Sequence, residues 1–419
     1  MMEKIRSILE KHRYFLGIFV FFLIYNFVVV GNFSFPKIDE LCYTFHIVDY
    51  SIGFCPALLP GAVYNAIFST TRVEIVNLYV VILYHVFLLA VSFMLEIFLN
   101  KVDTKNRFFA LIMVLFFITG PSTFSTHTTE IGMLDTYWLF FAVAFFAMVK
   151  NKYLKWFVPI IFVLSVFIHV GALISFLPFF ALIILLEASQ SEKVSKSYMF
   201  IFAVSILLAA VAFIYFTAFE ESNLTMDLES CRALIRGRNI SEWEDCPIYY
   251  DYALYRISPD GTIMESFASE SDGVFIQILD AFRRQIIEIF RTYPKIEKQY
   301  YVDFAVDILV SIPIVVFLYK FVLAFFKKEK ENKLRRFVWF CTLCLLPFTF
   351  ITGMLCSVDL IRWFGHGVIC LFTLVLYGLY KYADNDYLEV LNNRTNKFSR
   401  LAIIIYFVFY MMCTVNPYT

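Results

Sequence analysis

Long apolar runs separated by short charged connections are the feature that most restricts how this sequence can fold. Runs of about 18 or more residues with almost no charge recur along the whole 419-residue chain. The sequence is 60% hydrophobic and 20% aromatic, whereas a soluble globular protein of this length is less apolar and more charged. Because backbone polar groups in hydrocarbon must pair within the chain, each run predicts a helix. The sequence therefore predicts an all-α, multi-pass membrane protein.

The apolar runs predict about eleven transmembrane helices. They cover residues 14–31, 77–99, 108–120, 136–149, 156–170, 171–188, 198–218, 302–326, 337–356, 364–381 and 401–415. The tract 156–187 is too long for a single helix, and His169-Val170-Gly171 at its middle predicts a tight turn that divides it. The first run is too long for a signal-peptide core and lacks a small-residue cleavage site, so we expect a retained span.

Lysine and arginine residues fall in every second connection of this arrangement, beginning at the N-terminus. They include Lys101, Lys150, Lys193, Lys333 and Lys381. Because such residues are enriched in cytoplasmic connections, we expect a cytoplasmic N-terminus in the plasma membrane. The other face then carries a long outer loop between the seventh and eighth spans. The sequence contains no nucleotide-binding loop, so a nucleotide-sugar donor is not expected, and no nucleic-acid partner is expected either.

The chain divides into three predicted parts. These are an N-terminal transmembrane module over 1–218, an extracytoplasmic loop subdomain over 219–301 and a C-terminal transmembrane module over 302–419. Cys231 and Cys246 lie in the loop subdomain, where an oxidising compartment favours a disulfide; two free cysteines are the equally open alternative. Residues 274–291 have apolar positions at helical spacing with charges between them, which predicts an amphipathic helix on the outer leaflet or capping the spans.

Carboxylates on the predicted outer face are the first candidate functional group. Asp39 and Asp49 follow the first span, and Glu130 and Asp135 precede the fourth. One carboxylate can accept a proton from an attacking hydroxyl, and a pair or triad can hold a divalent cation such as Mg²⁺ or Mn²⁺ beside a phosphate. The structural alternatives are a solvated loop for Asp39, a solvated loop or the cap of a short helix for Asp49, and helix capping for Glu130 and Asp135.

Basic and imidazole side chains form a second group on the same face. His169 lies at the predicted turn, and Arg362 and His366 lie in the connection before the tenth span. Arginine grips phosphate by paired hydrogen bonds, and histidine does so when it is protonated. The alternatives are a core histidine at His169 and a headgroup anchor at Arg362. His46 and His127 also fall on this face.

The stretches "KIDELCYTFHIVDYSIGF", "TEIGMLDTYW" and "DLIRWFGHG" resemble the outer loops of the GT-C superfamily of multi-pass membrane glycosyltransferases, of the bacterial surface-polysaccharide type. The resemblance implies transfer of a sugar from a polyprenyl-phosphate carrier to a glycan or lipid acceptor. It implies a catalytic Asp49 or Asp39, an acidic metal or acceptor site at Glu130 and Asp135, and carrier-phosphate contacts from Arg362, His366 and His169. Neither Asp39 nor Asp49 stands in the acidic doublet common in that family.

Two further functions stay open on the sequence. "CRALIRGR", with Arg232, Arg236 and Arg238, resembles the arginine-bearing loops of polysaccharide polymerases and ligases that hold lipid pyrophosphate; a solvated basic turn is the alternative. A lipid-linked glycan transporter or flippase would place ionisable groups near mid-membrane and use helices broken by glycine or proline. A place in a glycan-assembly complex is compatible with each of these functions.

Overall fold

The computed structural model describes residues 12–31, 33–34, 37–101, 107–120, 131–190, 193–218, 223–239, 268, 272–357, 359–381 and 397–413. These residues are mainly helical, and no strand longer than the isolated bridge between Gly53 and Leu224 occurs among them. The helices are α1 (Arg13–Tyr25), α2 (Glu40–Ile47), α3 (Leu59–Ile67), α4 (Val73–Lys101), α5 (Arg107–Ile118), α6 (Leu134–Val149), α7 (Val158–Ile168), α8 (Phe176–Ala188), α9 (Lys196–Ala218), α10 (Leu228–Arg238), α11 (Val274–Thr292), α12 (Lys298–Lys328), α13 (Lys333–Cys356), α14 (Leu360–Lys381) and α15 (Lys397–Met412).

A helix stands at each predicted apolar run, so the all-α prediction is confirmed. Among the described residues, 5 helices are long and apolar enough to cross a membrane: α4, α9, α12, α13 and α14. The helices α1, α5, α6, α7 and α8 are apolar but shorter. These properties support a membrane-embedded protein. The total number of spans and the side that each connection faces stay predictions.

The tract 156–187 is divided into two helices at the predicted turn. Helix α7 ends at Ile168, a short 3-10 turn follows, and α8 begins at Phe176. His169 is extended, and its Nδ1 accepts a hydrogen bond from the Gly171 N–H at 3.1 Å. A Cβ atom at Gly171 would lie 2.7 Å from the Trp363 ring. Glycine therefore lets this turn pack directly on α14.

Contacts between helix ends distinguish two ends of the bundle. At the lysine-rich end, Lys150 lies on the Tyr380 ring and Arg335 donates to the Ser189 carbonyl. At the histidine end, the first turn of α6 contacts the beginning of α14, and the turn at His169 lies beside both. The alternation of charged connections along the sequence is therefore matched by their separation in space.

Helix α14 is the most enclosed of the long helices. Its apolar window is 89% buried, against 28–39% for the other four candidate spans. It packs against α13, α12, α8 and α4. Partners on every side hold its side chains in fixed positions, so charged groups on α14 are placed rigidly inside the bundle.

The described parts of the predicted loop subdomain are helical and rest on the bundle. Helix α10 begins after Asp227, whose carboxylate accepts a hydrogen bond from the Ser230 N–H. The backbone of Asn223 accepts from Phe54, and Thr225 donates to Ile52, which joins this segment to the first outer loop. Helix α11 covers the predicted 274–291 segment and packs against α9 and α13.

Candidate functional site

A buried cluster of charged and imidazole side chains joins α6 to α14 at the histidine end. The Asp135 Oδ2 atom lies 2.9 Å from Arg362 Nε and 3.2 Å from His366 Nε2. Arg362 Nη2 lies 3.0 Å from Asp359 Oδ2. We call these residues, together with His169, the ion cluster. Four of its five members are candidates from the sequence analysis. Asp359 is the one member that was not a candidate there.

Local sequence explains how the cluster forms. Arg362 and His366 are four positions apart on α14 and therefore share a face of that helix. Asp135 lies in the first turn of α6, where the helix dipole favours a carboxylate. Asp359 directly precedes α14, and its carboxylate compensates the arginine placed near the helix N-terminus.

Aromatic rings separate the ion cluster from bulk water. The His366 ring lies 5.3 Å from Trp363, 5.6 Å from Trp138 and 5.7 Å from Phe176, measured between centroids. The His366 side chain is 0% exposed, and those of Asp135 and Arg362 are 6% and 14% exposed. Because charge interactions strengthen where water is excluded, a charged reaction partner entering this space would be held strongly.

His169 stands across Trp138 from His366. Its ring centroid is 5.9 Å from that of Trp138, and it interacts electrostatically with Asp135. Because Nδ1 accepts a hydrogen bond from Gly171, the neutral ring carries its proton on Nε2. His169 therefore caps the turn and also borders the ion cluster, and its functional role stays a prediction.

Asp49 lies in a separate network, which links the first outer loop to α10. Its carboxylate lies 3.0 Å from Arg238 Nη1, accepts from Asn65 Nδ2 at 2.7 Å and accepts from the Ser51 N–H at 3.0 Å. Burial raises the pKa of Asp49, but the hydrogen bonds from Ser51, Arg238 and Asn65 outweigh it and hold the pKa below its ordinary value. Asp49 is therefore ionised at neutral pH, as a proton acceptor must be.

Asp39 has a different position from Asp49. It is the N-cap of α2, and its Oδ1 accepts a hydrogen bond from the Cys42 N–H at 2.6 Å. This is the usual use of an aspartate before a helix. Asp39 therefore has a structural role. Asp49 also caps a short turn, Tyr50–Ile52, and in addition pairs with Arg238; which of the two is catalytic stays a prediction.

His46 connects the first outer loop to the helix that carries Asp135. Its Nδ1–H donates to the Cys42 carbonyl, so Nε2 accepts from the Tyr137 hydroxyl at 2.6 Å. Burial lowers the pKa of His46 to about 4, so the ring is neutral at physiological pH. His46 lies in the last turn of α2. Nothing in the local sequence indicates this link, because its partner Tyr137 lies far along the chain.

Three residues singled out in the sequence lie outside the described residues, namely His127, Glu130 and Cys246. Cys231 is buried on α10. Within the described ranges, no group of three or more histidine, cysteine, aspartate or glutamate side chains is arranged to hold a metal ion. The disulfide, the role of Glu130 and the requirement for Mg²⁺ or Mn²⁺ therefore stay predictions.

The arginines of "CRALIRGR" lie on a helix and not in a solvated turn. Arg232 pairs with Glu229 at 3.0 Å, and Arg238 binds Asp49 and the Ile47 carbonyl. Arg236 is exposed. Arg238 therefore fastens α10 to the first outer loop.

Comparisons with protein-family models, curated proteins and solved structures give no match to this chain. The chemistry of the site is therefore argued from its own side chains.

Proposed function

We propose that this protein is a membrane glycosyltransferase. It transfers a sugar from a polyprenyl-phosphate carrier to a glycan or lipid acceptor at the histidine end of the bundle, in the biosynthesis of a cell-surface polysaccharide. The observation that carries the proposal is the ion cluster, in which Arg362 and His366 face one carboxylate, Asp135, and the His366 ring packs among aromatic rings. Ionisable groups buried among membrane helices usually serve function because burying them is costly.

The ion cluster suits a leaving phosphate. Arg362 is held by two carboxylates, Asp135 and Asp359, and can exchange one of them for a phosphate oxygen while keeping the other. When the bond between the anomeric carbon and the phosphate oxygen breaks, the electron pair stays on the phosphate. Arg362 then stabilises the added charge and His366 donates a hydrogen bond to it, as pre-arranged donors do in a dry site.

Asp49 is the proposed base on the acceptor side. The acceptor hydroxyl gives its proton to the Asp49 carboxylate as its oxygen bonds to the anomeric carbon, which inverts the configuration of the sugar. Asp49 is ionised and 19% exposed, so an acceptor can reach it once Arg238 moves aside. The exposed Phe54 ring, beside Phe167 and Phe216, offers an apolar surface for the sugar or the carrier.

A lipid-linked glycan transporter or flippase is the second candidate. The observation that favours it is the depth of the ion cluster, because a wholly buried histidine beside a carboxylate and an arginine is also a plausible proton-coupling element. A polymerase or ligase that uses lipid pyrophosphate has less support. Two of the three arginines that it would employ, Arg232 and Arg238, pair with carboxylates.

The test compares a gene deletion with strains that express wild type, Asp49→Asn, Arg362→Lys or Asp227→Asn at equal membrane levels. Asp227→Asn is the matched control, because Asp227 is an exposed helix cap and asparagine caps equally well. The readout is the profile of surface and lipid-linked glycans. We expect the deletion to remove a sugar from a glycan, Asp227→Asn to restore it, and the other two variants to fail. Arg362→Lys keeps the charge but loses the paired geometry.

The outcomes separate the candidates. Unchanged glycans in the deletion strain would rule out the transferase proposal. Full restoration by Asp49→Asn would show that Asp49 is not the base. The role of Arg362 is tested separately, by Arg362→Lys. Loss of a glycan with the complete carrier-linked donor confined to the cytoplasmic leaflet would favour the transporter.

A further inference from the structure

A compact group of lysines, tyrosines and one glutamate lies at the lysine-rich end, away from the ion cluster. Four helices contribute to it: α4 and α14 by their last residues, α6 by the residue after its end, and α8 by its last turn. We call it the basic cluster, and its members are Lys101, Lys150, Lys381, Glu187, Tyr377 and Tyr380.

The basic cluster contains more positive than negative charge. Lys381 Nζ lies 3.0 Å from Glu187 Oε1, so this lysine has a carboxylate partner. The Nζ atoms of Lys101 and Lys150 each lie 4.0 Å from the centroid of the Tyr380 ring. Two atoms at that distance from one point are at most about 8 Å apart, which is within the screening length of physiological salt. The two ammonium groups therefore repel each other and favour an anion beside them.

Two further observations indicate an anion site. Partial burial, the neighbouring Lys381 and the neighbouring Lys101 lower the pKa of Lys150 to about 8, so a nearby anion would favour its charged form. The Tyr377 hydroxyl is buried and has no hydrogen-bond partner among the described residues. The centroid of the Tyr377 ring lies 5.2 Å from Lys150 Nζ and 6.0 Å from Lys381 Nζ, so this tyrosine belongs to the same group of side chains.

The position of the basic cluster indicates the source of the anion. Lys101 and Lys381 end two of the helices that are long and apolar enough to cross a membrane. Lysines and tyrosines at such ends lie at the level of the lipid headgroups, on whichever face of the membrane they stand. Basic pockets between transmembrane helices at this level bind anionic headgroups.

We propose that the basic cluster binds the phosphate of an anionic phospholipid. Lys101 and Lys150 contact phosphate oxygens, the Tyr377 hydroxyl donates to a third, and Glu187 holds Lys381 at the rim. The site joins α4, α6, α8 and α14, so the bound lipid fastens the end of the bundle opposite the ion cluster. The proposal does not depend on the transferase activity.

The experiment measures lipid binding to the purified full-length protein by native mass spectrometry. Phosphatidylglycerol is titrated against phosphatidylcholine of the same acyl chains, with wild type, Lys101→Gln, Lys150→Gln and Tyr377→Phe. Lys152→Gln is the matched control, because Lys152 is an exposed lysine two positions beyond Lys150 that lies beside Tyr153 instead. Each lysine variant of the cluster loses a charge-assisted hydrogen bond to a phosphate oxygen, which Lys152 does not make, so it should bind phosphatidylglycerol about ten-fold more weakly.

Tyr377→Phe keeps the test valid if a lysine variant folds poorly. Its hydroxyl has no protein partner among the described residues, so its removal should leave the unfolding temperature unchanged while weakening phosphatidylglycerol binding. Phosphatidylcholine binding and the Lys152→Gln control should not change. Equal weakening by Lys152→Gln, or no weakening by the cluster variants, would overturn the proposal. Inorganic phosphate that binds through Lys150 without any preference for phosphatidylglycerol would assign the site to free phosphate instead.

Discussion

At the scale of single residues, two aspartates of one loop have different partners. The carboxylate of Asp39 is occupied by the backbone of its own helix, whereas that of Asp49 is bound by Arg238 from a distant part of the chain. The sequence places both aspartates in the first outer loop, but it does not indicate that their partners differ. Capping is a local effect, and the Asp49 network depends on how α10 folds back over the loop.

The first prediction concerns the cap at Asp39. Asp39→Ala should lower the free energy of unfolding by about 1 kcal/mol, because the Cys42 N–H loses its acceptor. Asp39→Asn should be nearly neutral, since asparagine caps as well as aspartate. Thermal unfolding in detergent measures both. Normal unfolding of Asp39→Asn together with a loss of glycan transfer would show instead that Asp39 is the base.

The second prediction concerns the acid stability that Asp49 contributes. Its folded-state pKa lies below the ordinary 3.8, so its contribution is complete above that value and is lost as the pH falls through the folded pKa. The difference in unfolding temperature between wild type and Asp49→Asn should therefore be constant near neutral pH and shrink below about pH 4. A difference that grows as the pH falls would contradict the Arg238 network.

The third prediction concerns the buried pair of Asp135 and Arg362. Arg362→Met alone should destabilise the protein by about 3 kcal/mol, because it leaves a buried carboxylate with less compensation. The destabilisation of the double variant, Asp135→Leu with Arg362→Met, should be smaller than the sum of the two single destabilisations by at least about 0.5 kcal/mol. A double-mutant cycle on thermal unfolding measures this coupling. Additive effects would show that the two side chains act independently.

At the scale of elements, the sequence predicts the helices well, but it does not predict which face of α11 is buried against the bundle. Asp280 and Arg284 are buried as an ion pair at 2.9 Å, whereas Phe275 and Phe290 are 72% and 63% exposed. In water an amphipathic helix would bury its apolar face. The reverse arrangement is expected where hydrocarbon surrounds the protein, and hydrophobic periodicity alone does not tell which face meets the core.

The fourth prediction follows from this orientation of α11. A spin label on Phe275→Cys, in a background without the other cysteines, should collide with oxygen and not with a water-soluble nickel complex. A label on Arg291→Cys, in the exposed basic last turn of α11, should show greater exposure to the nickel complex. Electron paramagnetic resonance in reconstituted vesicles gives both accessibilities. High nickel accessibility at position 275 would place the apolar face in water.

At the scale of the whole molecule, composition and charge alternation predict most of the architecture. Apolar runs become helices because hydrocarbon leaves the backbone no other partners. The described connections that carry lysine and arginine meet at one end of the bundle, and the ion cluster lies at the other. His169-Val170-Gly171 divides its tract as predicted. The sequence also selects Asp135, Arg362 and His366 as candidates, but their meeting point depends on how the fold brings the first turns of α6 and α14 together, which no local pattern encodes.

The most direct measurement of the central claim is the amount of polyprenyl-phosphate-linked sugar in membranes, determined by mass spectrometry of extracted lipids. The membranes come from the wild-type, deletion and Arg362→Lys strains. If the ion cluster releases the carrier phosphate during transfer, the donor should accumulate several-fold in the deletion and in Arg362→Lys while the acceptor glycan lacks its sugar. A glycan that lacks its sugar beside an unchanged donor pool would contradict carrier-dependent transfer by this protein.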